Sequence, residues 1–515
     1  MVREVERFDL VIAGLGPVGA VAANLAGAAG LKTLVIERGT APYDKPRAIV
    51  FDAEIMRIFA SIGLAEDLAA VTKPLGGSVY IGADRAPIRT FRAHPRAHDM
   101  AWHPSNLFYQ PQLESILRQG LARYDHVRLR PGTNVERVEN GEDSVVVLTD
   151  DGRVEADYLF ACDGASSMVR KSLGIALDDI GFEERWLVVD TNVAGPMRWP
   201  EDYAIPAEVR DGRFSLMVCD PLRPATLIPG RGTHRRWEYM LLPGEDDATV
   251  VTDAWLRPQL ATWVDPEAVE IVRTAVYRFR ALVAERWREG RTFLLGDAAH
   301  QTPPFFGQGM CHGIRDAAQL MWKLLMVRAG TAGPALLDSY QVEREPHVRA
   351  IIAASVAAGS EVCKLDRDAA LDRDARFRAA EREREGRVAM TDVVPPITTG
   401  LVDRPNGGER LPEFIVTGRD GRPQHIDRLL DGRFTLLSLD EAPADALSRI
   451  DGQVLPLATD VDGRMAAWFA GRSARWAIVR PDRYVCAPGA DAGRLREALA
   501  LLEDHLAGLE LETTP

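Results

Sequence analysis

Two hydrophobic rhythms divide the chain. Residues 8–13 (FDLVIA), 33–36 (TLVI) and 158–162 (YLFAC) are short unbroken apolar runs that end in turn residues. Such runs suit strands buried on both faces of a parallel sheet. Between the first two, small residues continue to Ala29 and predict a helix lying close on that sheet. Residues 291–297 (RTFLLGD) repeat the strand pattern, and a helix follows from about Gly309-Met310, with helical spacing over 313–360. Segment 53–64 (AEIMRIFASIGL) is helical, with Asp52 as its N-cap. The segments 74–105 and about 180–275 read differently: short strands, frequent turns and alternation at Arg235-Arg236-Trp237-Glu238-Tyr239-Met240 predict a half-buried antiparallel sheet. A charge run at 366–388 reads as a solvated helix or linker. After Pro395-Pro396 the composition shifts to three strand-like runs (FTLLSL, QVLPLAT, WAIVRPDRYV) and a terminal amphipathic helix (AGRLREALALLEDHL). At 515 residues the chain exceeds one core, so two or three domains are expected.

The apolar fraction of 46% and charged fraction of 27% are those of a soluble globular protein. A net charge of −13 argues against nucleic acid or an anionic membrane as partner. Only six of the 62 basic residues are Lys, an Arg excess that reads as compositional habit and not as a binding patch. Five scattered cysteines show neither CxxC nor metal-ligand spacing, which suits unpaired thiols in a reducing cytosol and predicts no metal. No apolar run reaches about 18 residues, so no transmembrane span is expected. The first strand begins near Phe8, leaving no room for a signal peptide. A cytoplasmic protein is the expectation.

The first chemistry lies between the first two strands. Gly14-Leu15-Gly16-Pro17-Val18-Gly19 is GxGxxG, placed after a strand and opening a helix, with Glu37 at the end of the next strand. Gly14 makes the tight turn, Gly16 admits a pyrophosphate to the backbone and Gly19 lets helix and strand pack closely. The helix N-terminus offers N–H donors to the phosphates, and Glu37, followed by Arg38, can accept from ribose hydroxyls. Asp163 and Asp297 sit at two further strand ends, and ligands in such sheets lie at the carboxyl ends of strands. Strand-end Asp-Gly is also ordinary turn chemistry, and for Asp163 the two readings weigh equally.

GLGPVG, CDGASSMVR and GDAAHQTPPFFGQGMCHGIRDA together resemble the three fingerprints of the class A flavoprotein aromatic hydroxylases, with Leu15 where the family usually has alanine. GQGMCHGIRDAAQLMWKL and SYQVEREPH are most similar to the 3-(3-hydroxyphenyl)propionate hydroxylases and their phenol and polyketide relatives; the likeness covers about residues 5–350. It implies an α/β fold. A Rossmann-like FAD-binding domain (1–73, 106–180, 276–390) carries an inserted antiparallel β-sheet substrate domain (74–105, 181–275). A thioredoxin-like C-terminal domain (396–515), lacking CxxC, completes it. It also implies non-covalent FAD, since no His or Cys attachment motif is recognisable, with NADH or NADPH and O₂ as co-substrates. The implied reaction is hydroxylation of a small phenolic substrate through a flavin C4a-hydroperoxide. Homodimerisation is left open.

Site residues carry over in the same way. Asp297 is implied at the ribityl or pyrophosphate side of FAD, and the loop holding Pro304, Gly307, Gly309 and Met310 against the flavin ring. Arg47 matches a family arginine near the flavin, and Gln110 a glutamine near the ribityl chain. For substrate, Trp102, His103, Trp237 and Tyr239 are the candidates. His300 and Cys311 are expected to be structural. No base for the phenol proton is identifiable. Two alternatives stay open: a polyketide-tailoring oxygenase (hydroxylating or Baeyer–Villiger), and a flavin-binding sensor that does not turn over.

Overall fold

The computed structural model describes residues 6–41, 48–93, 100–384, 394–403, 406–418, 420–440, 445–456 and 460–508. Arg47 falls outside them.

The unbroken apolar runs form the centre of one sheet. Strand Arg7–Ala13 lies between Thr33–Glu37 and Gly152–Ala161, parallel to both, and Thr292–Leu294 extends the sheet in parallel beyond the last. Leu10, Val11 and Ile12 have no solvent exposure, as a strand covered on both faces requires. Helix Pro17–Ala28 packs on this sheet, and on its other side a small residue admits a close neighbour: a Cβ on Gly27 would stand 2.3 Å from the Tyr124 ring, in the turn before strand Val127–Pro131.

The alternating segments form a second, eight-stranded sheet, ordered 300–301, 269–284, 177–193, 234–240, 225–229, 214–218, 77–81, 87–92. Its two long strands, Leu177–Val193 and Val269–Ala284, run across the expected borders near 180 and 275 and reach into the first unit. One face of the sheet carries its own core, where Trp237, Tyr239 and Leu256 pack with Trp263. The other face looks toward the carboxyl ends of the parallel strands.

The C-terminal unit holds a four-stranded sheet in the order 453–456, 435–438, 476–479, 485–489, with the terminal helix Ala492–Ala507 packed on it. A buried polar weld joins it to the rest. Glu343 accepts from Lys323 Nζ (2.9 Å), Gln319 Nε2 (2.6 Å), Arg480 Nη2 (2.8 Å) and the Leu401 backbone N–H (2.9 Å). Glu343, Lys323 and the Arg480 side chain are fully buried. A second weld brings Arg315, Arg410 and the Tyr484 hydroxyl onto Glu54.

Candidate active site

The glycines of the first loop have separate jobs. A Cβ on Gly14 would lie 2.4 Å from the Cys162 carbonyl oxygen, and one on Gly19 would lie 2.0 Å from the Gly14 oxygen. Both are glycine so that strand, turn and helix can close on each other. Gly14 also has φ +97°, the left-handed region that other residues avoid. Beside Gly16 there is nothing within 4 Å, and the same holds at Gly164 and Gly309. Those three glycines, two after strand ends and one opening a helix, front a cavity of about 450 Å³. The cavity is also lined by Pro17, Val18, Gln110, Asp297, Pro304, Gly307 and Met310.

The glycine loop is held from behind. Glu37 Oε2 accepts from Leu15 N (2.7 Å) and Oε1 from Gly39 N (2.8 Å), and Arg118 donates to the Leu15 carbonyl (2.9 Å). Glu37 therefore sits beside the loop but not on the cavity, and Arg38 after it is exposed. Asp163 takes part of the turn role: its Oδ2 accepts from Val169 N (3.1 Å) at the start of helix Met168–Ser172. Its Oδ1 is buried with no partner among the described residues, and burial holds its pKa above the ordinary value. Arg170 ties this strand end to the next by donating to the Ala298 carbonyl (3.0 Å). The Asp297 carboxylate faces the cavity without a hydrogen bond to any described residue.

The two-proline corner is a wall of this cavity. Pro304–Phe306 forms one 3₁₀ turn, Gly307 ends it at φ +64°, and helix Gly309–Ala329 opens directly after. No side chain caps that helix, so its first N–H groups remain available to an anion at the cavity end.

Behind the corner lies a buried framework built from residues of the 294–317 and 339–347 stretches. Asp316 accepts from Gly296 N (3.0 Å) and Arg344 Nε (2.9 Å) and pairs with His300 Nε2 at 2.7 Å. His300 is committed to Asp316, Cys311 is buried, and Asp52 caps its helix by accepting from Glu54 N and Ile55 N. His300 and Arg344 outweigh the cost of burial and bring the Asp316 pKa to about 2 from 3.8. Because the folded value lies below the unfolded one, the stabilisation is complete above about pH 4 and is lost as pH falls toward 2, on the order of 2 kcal/mol. Denaturant midpoints followed down through that window should show this loss in the wild type and a flatter acid dependence in Asp316→Asn. Equal acid dependence in both would remove Asp316 from the account.

The expected substrate residues need correction. Trp237 and Tyr239 lie on strand His234–Met240, where successive side chains point to opposite faces. Both point into the second core, with the Trp237 indole N–H donating to Thr191 Oγ1 (3.1 Å). The residues of that strand that line the cavity are Arg236 and Glu238. Trp102 faces a different cleft, against the C-terminal unit, where Ala101 N donates to Glu413 Oε2 (2.6 Å). His103 turns back on its own loop, with Nδ1 2.7 Å from the Ser105 oxygen.

The far wall of the cavity is aromatic. Trp186 stacks on Phe279 (centroids 6.0 Å, 25°), and Phe305 of the corner meets both edge-on. Tyr80 and Phe91 pack in the same cluster and continue this lining. The cavity thus has a phosphate-ready glycine cradle at one end and a flat apolar slot at the other, with the carboxylate of Asp297 on its lining; Asp163, whose Oδ1 is buried, does not line it. Those features fit an FAD whose ring head enters the slot. Among the described residues no group of three or more His, Cys, Asp or Glu is placed to hold a metal, and no helix is long and apolar enough to cross a membrane.

Comparison with known proteins agrees with this geometry. The FAD binding domain family matches residues 7–355, and the aromatic-ring hydroxylase C-terminal family matches residues 404–504. A probable NADH-specific resorcinol 4-hydroxylase of Rhodococcus jostii (strain RHA1) is 35% identical over 95% of this chain and 93% of its own. A 3-(3-hydroxy-phenyl)propionate/3-hydroxycinnamic acid hydroxylase of Burkholderia cenocepacia (strain HI2424) is 32% identical over 95% of each chain. Among solved structures, the flavin-dependent monooxygenase PieE, in complex with FAD and substrate, superposes with a TM-score of 0.81 at 23% identity, covering 98% of this chain and 100% of that one. The anhydrotetracycline hydroxylase OxyS of Streptomyces rimosus gives 0.78 at 27% identity, covering 96% and 98%. With a glycine cradle, the Asp297 carboxylate and an aromatic slot converging on one cavity, and with both family matches in place, the chain belongs to the FAD-dependent aromatic-ring hydroxylases.

Proposed function

We propose that the substrate is a single phenolic ring of the resorcinol type, with NADH as reductant and FAD held non-covalently. The observation that carries this reading is the size and lining of the cavity. Its roughly 450 Å³ stands at the small end of the range for ligand pockets, about 300–1,000 Å³, and the flavin ring must share it. Beside the flavin, a single ring suits that space better than the fused polycycle of a tailoring enzyme. The NADH preference follows the resorcinol hydroxylase relative.

When bound, FAD takes a hydride from NADH and activates O₂ for transfer to the ring. The residues of this chain do the rest. Gly16 and the start of helix Pro17–Ala28 receive the pyrophosphate, and Asp297 accepts from a cofactor hydroxyl. Gly307, Gly309 and Met310 open a helix at the cavity, and its free N–H groups would favour negative charge on a bound flavin by about 0.3–1 kcal/mol, more when buried. Trp186, Phe279 and Phe305 exclude water and fix the plane of the substrate. Arg47, outside the described residues, stays a proposal from resemblance.

We read the C-terminal unit (396–515) as thioredoxin-like. One parallel and two antiparallel pairings, with helices Arg464–Gly471 and Ala492–Ala507 beside them, support this. Its one cysteine, Cys486, is buried and pushed up to about 12 by burial, so its role is structural. Five cysteines without a disulfide suit a cytoplasmic setting.

The test is NADH oxidation by the purified flavoprotein against simple phenols and fused polycyclic phenols. Resorcinol-type compounds should accelerate it about tenfold or more, equivalent to about 1.4 kcal/mol of bias, with NADPH much slower. Acceleration by fused polycycles alone would replace this reading with a tailoring one.

A further inference from the structure

The floor of the cavity is a row of side chains from four neighbouring strands. Tyr80 pairs in register with Met217, Met217 with Thr226 and Thr226 with Glu238, and all four line the cavity. Glu238 is the one acid on this floor; the other carboxylate on the cavity, Asp297, belongs to the cofactor side.

Glu238 differs from its charged neighbours in having no hydrogen-bond partner among the described residues. Each neighbour is committed. Arg236, on the same strand, is clamped by Asp190 of the next strand through Nε (2.9 Å) and Nη2 (3.1 Å). Arg273 and His234 also lie on Asp190, at 3.9 and 3.1 Å. Arg278 and Arg280, at the mouth, pair with Glu183 at 3.2 and 2.8 Å. Burial raises the Glu238 pKa, with Arg236 opposing and Asp190 assisting. An acid tuned upward in a site is suited to accept and return a proton near working pH.

We propose that Glu238 holds the ring hydroxyl of an uncharged phenol and takes its proton during hydroxylation. The inference rests on the phenol reading above and deepens it. A Glu238 carboxylate oxygen accepts the hydrogen bond from the phenolic O–H. As oxygen is delivered to the ring, that O–H bond breaks and its electron pair stays on the phenolic oxygen. A carboxyl O–H forms on Glu238. The ring is then a dienone with a new hydroxyl on a tetrahedral carbon. The hydrogen at that carbon then leaves as a proton to solvent water, its C–H electron pair restores aromaticity, and Glu238 returns its own proton to the former dienone oxygen, ready for the next turn. The same geometry selects against a substrate with its own carboxylate. That anion would stand near Glu238, among described arginines already committed to Asp190 and Glu183. Resorcinol is therefore preferred over 3-(3-hydroxyphenyl)propionate.

The experiment compares FAD-loaded wild type, Glu238→Gln and Glu238→Asp by steady-state kinetics with both phenols across pH. Glu238→Gln should keep its flavin and absorbance spectrum. Its kcat/KM for resorcinol should fall about 100-fold, within the range for losing a proton-transfer group. It should lose the acid limb of its pH profile, release peroxide in place of product and discriminate less against the carboxylated phenol. Glu238→Asp should keep the acid limb with reduced activity. Wild-type kcat/KM and an intact acid limb in Glu238→Gln would overturn the role of Glu238 while leaving the hydroxylase reading in place. Absence of an acid limb in the wild type would do the same, and so would a wild-type preference for the carboxylated phenol. A wild type that couples NADH oxidation to no phenol would overturn the substrate reading first, and this inference with it.

Discussion

Gly16→Ala gives a folded, colourless protein. Its backbone angles (φ −70°, ψ −175°) are open to alanine, and a Cβ there meets no protein atom within 4 Å. The methyl would occupy the space a pyrophosphate must enter. FAD affinity should fall about 100-fold or more, close to 2.7 kcal/mol, while the apo protein melts as the wild type does. Gly19→Ala should do the reverse. Its Cβ would stand 2.0 Å from the Gly14 oxygen, a backbone atom that cannot swing aside. The cost falls on folding, at about 3 kcal/mol or more, the upper end for overpacking. Flavin titration and thermal melting of both apo variants separate the two roles. Normal FAD binding by Gly16→Ala would mean the pyrophosphate lies elsewhere.

Glu343→Ala should be the most destabilising single change outside the glycine loop. It strips a fully buried acceptor from Lys323, Arg480 and Gln319 together, and among the described residues Arg480 retains only Asp482 as a charged partner. Removing one partner of a buried ion network costs about 3–5 kcal/mol, because the remaining charges stay desolvated. Burial already lowers the Lys323 pKa to about 8, with Glu343 opposing that fall, so the variant should shed this proton at still lower pH. Chemical denaturation of the full chain measures the loss. A change below about 1 kcal/mol would show that the network is solvated or redundant.

Much of the fold and the cofactor end was legible because short-range rules fix it. Strand, glycine turn and helix are contiguous, so GxGxxG, its strand and its helix could be placed without tertiary knowledge. The corner at 303–310 was legible for the same reason: prolines and glycines dictate backbone angles locally. The floor of the substrate cavity was not. On strand His234–Met240 the apolar Trp237 and Tyr239 invite assignment to the pocket, but the sheet has a second apolar face with its own core, and parity sends them there. The legible signal was the polar half of the alternation, Arg236 and Glu238, since a charge placed in a covered strand needs a partner or a ligand. Trp102 and His103 failed differently. The position of Trp102 depends on docking of the C-terminal unit, a contact between residues some 300 apart in sequence, while His103 is held by its own loop. Asp316, Glu343 and Arg344 lie in the stretches that carried the family resemblance but drew no assignment from sequence; their partners are buried protein groups, and only the folded contacts reveal a framework role.

The most direct test of the central claim is a single-turnover experiment with isotopically labelled dioxygen, NADH and resorcinol. The account predicts one labelled oxygen atom in a trihydroxylated ring, with NADH consumed in equal amount and little peroxide. Flavin reduced equally fast without any phenol, with labelled peroxide as the sole oxygen product, would contradict it.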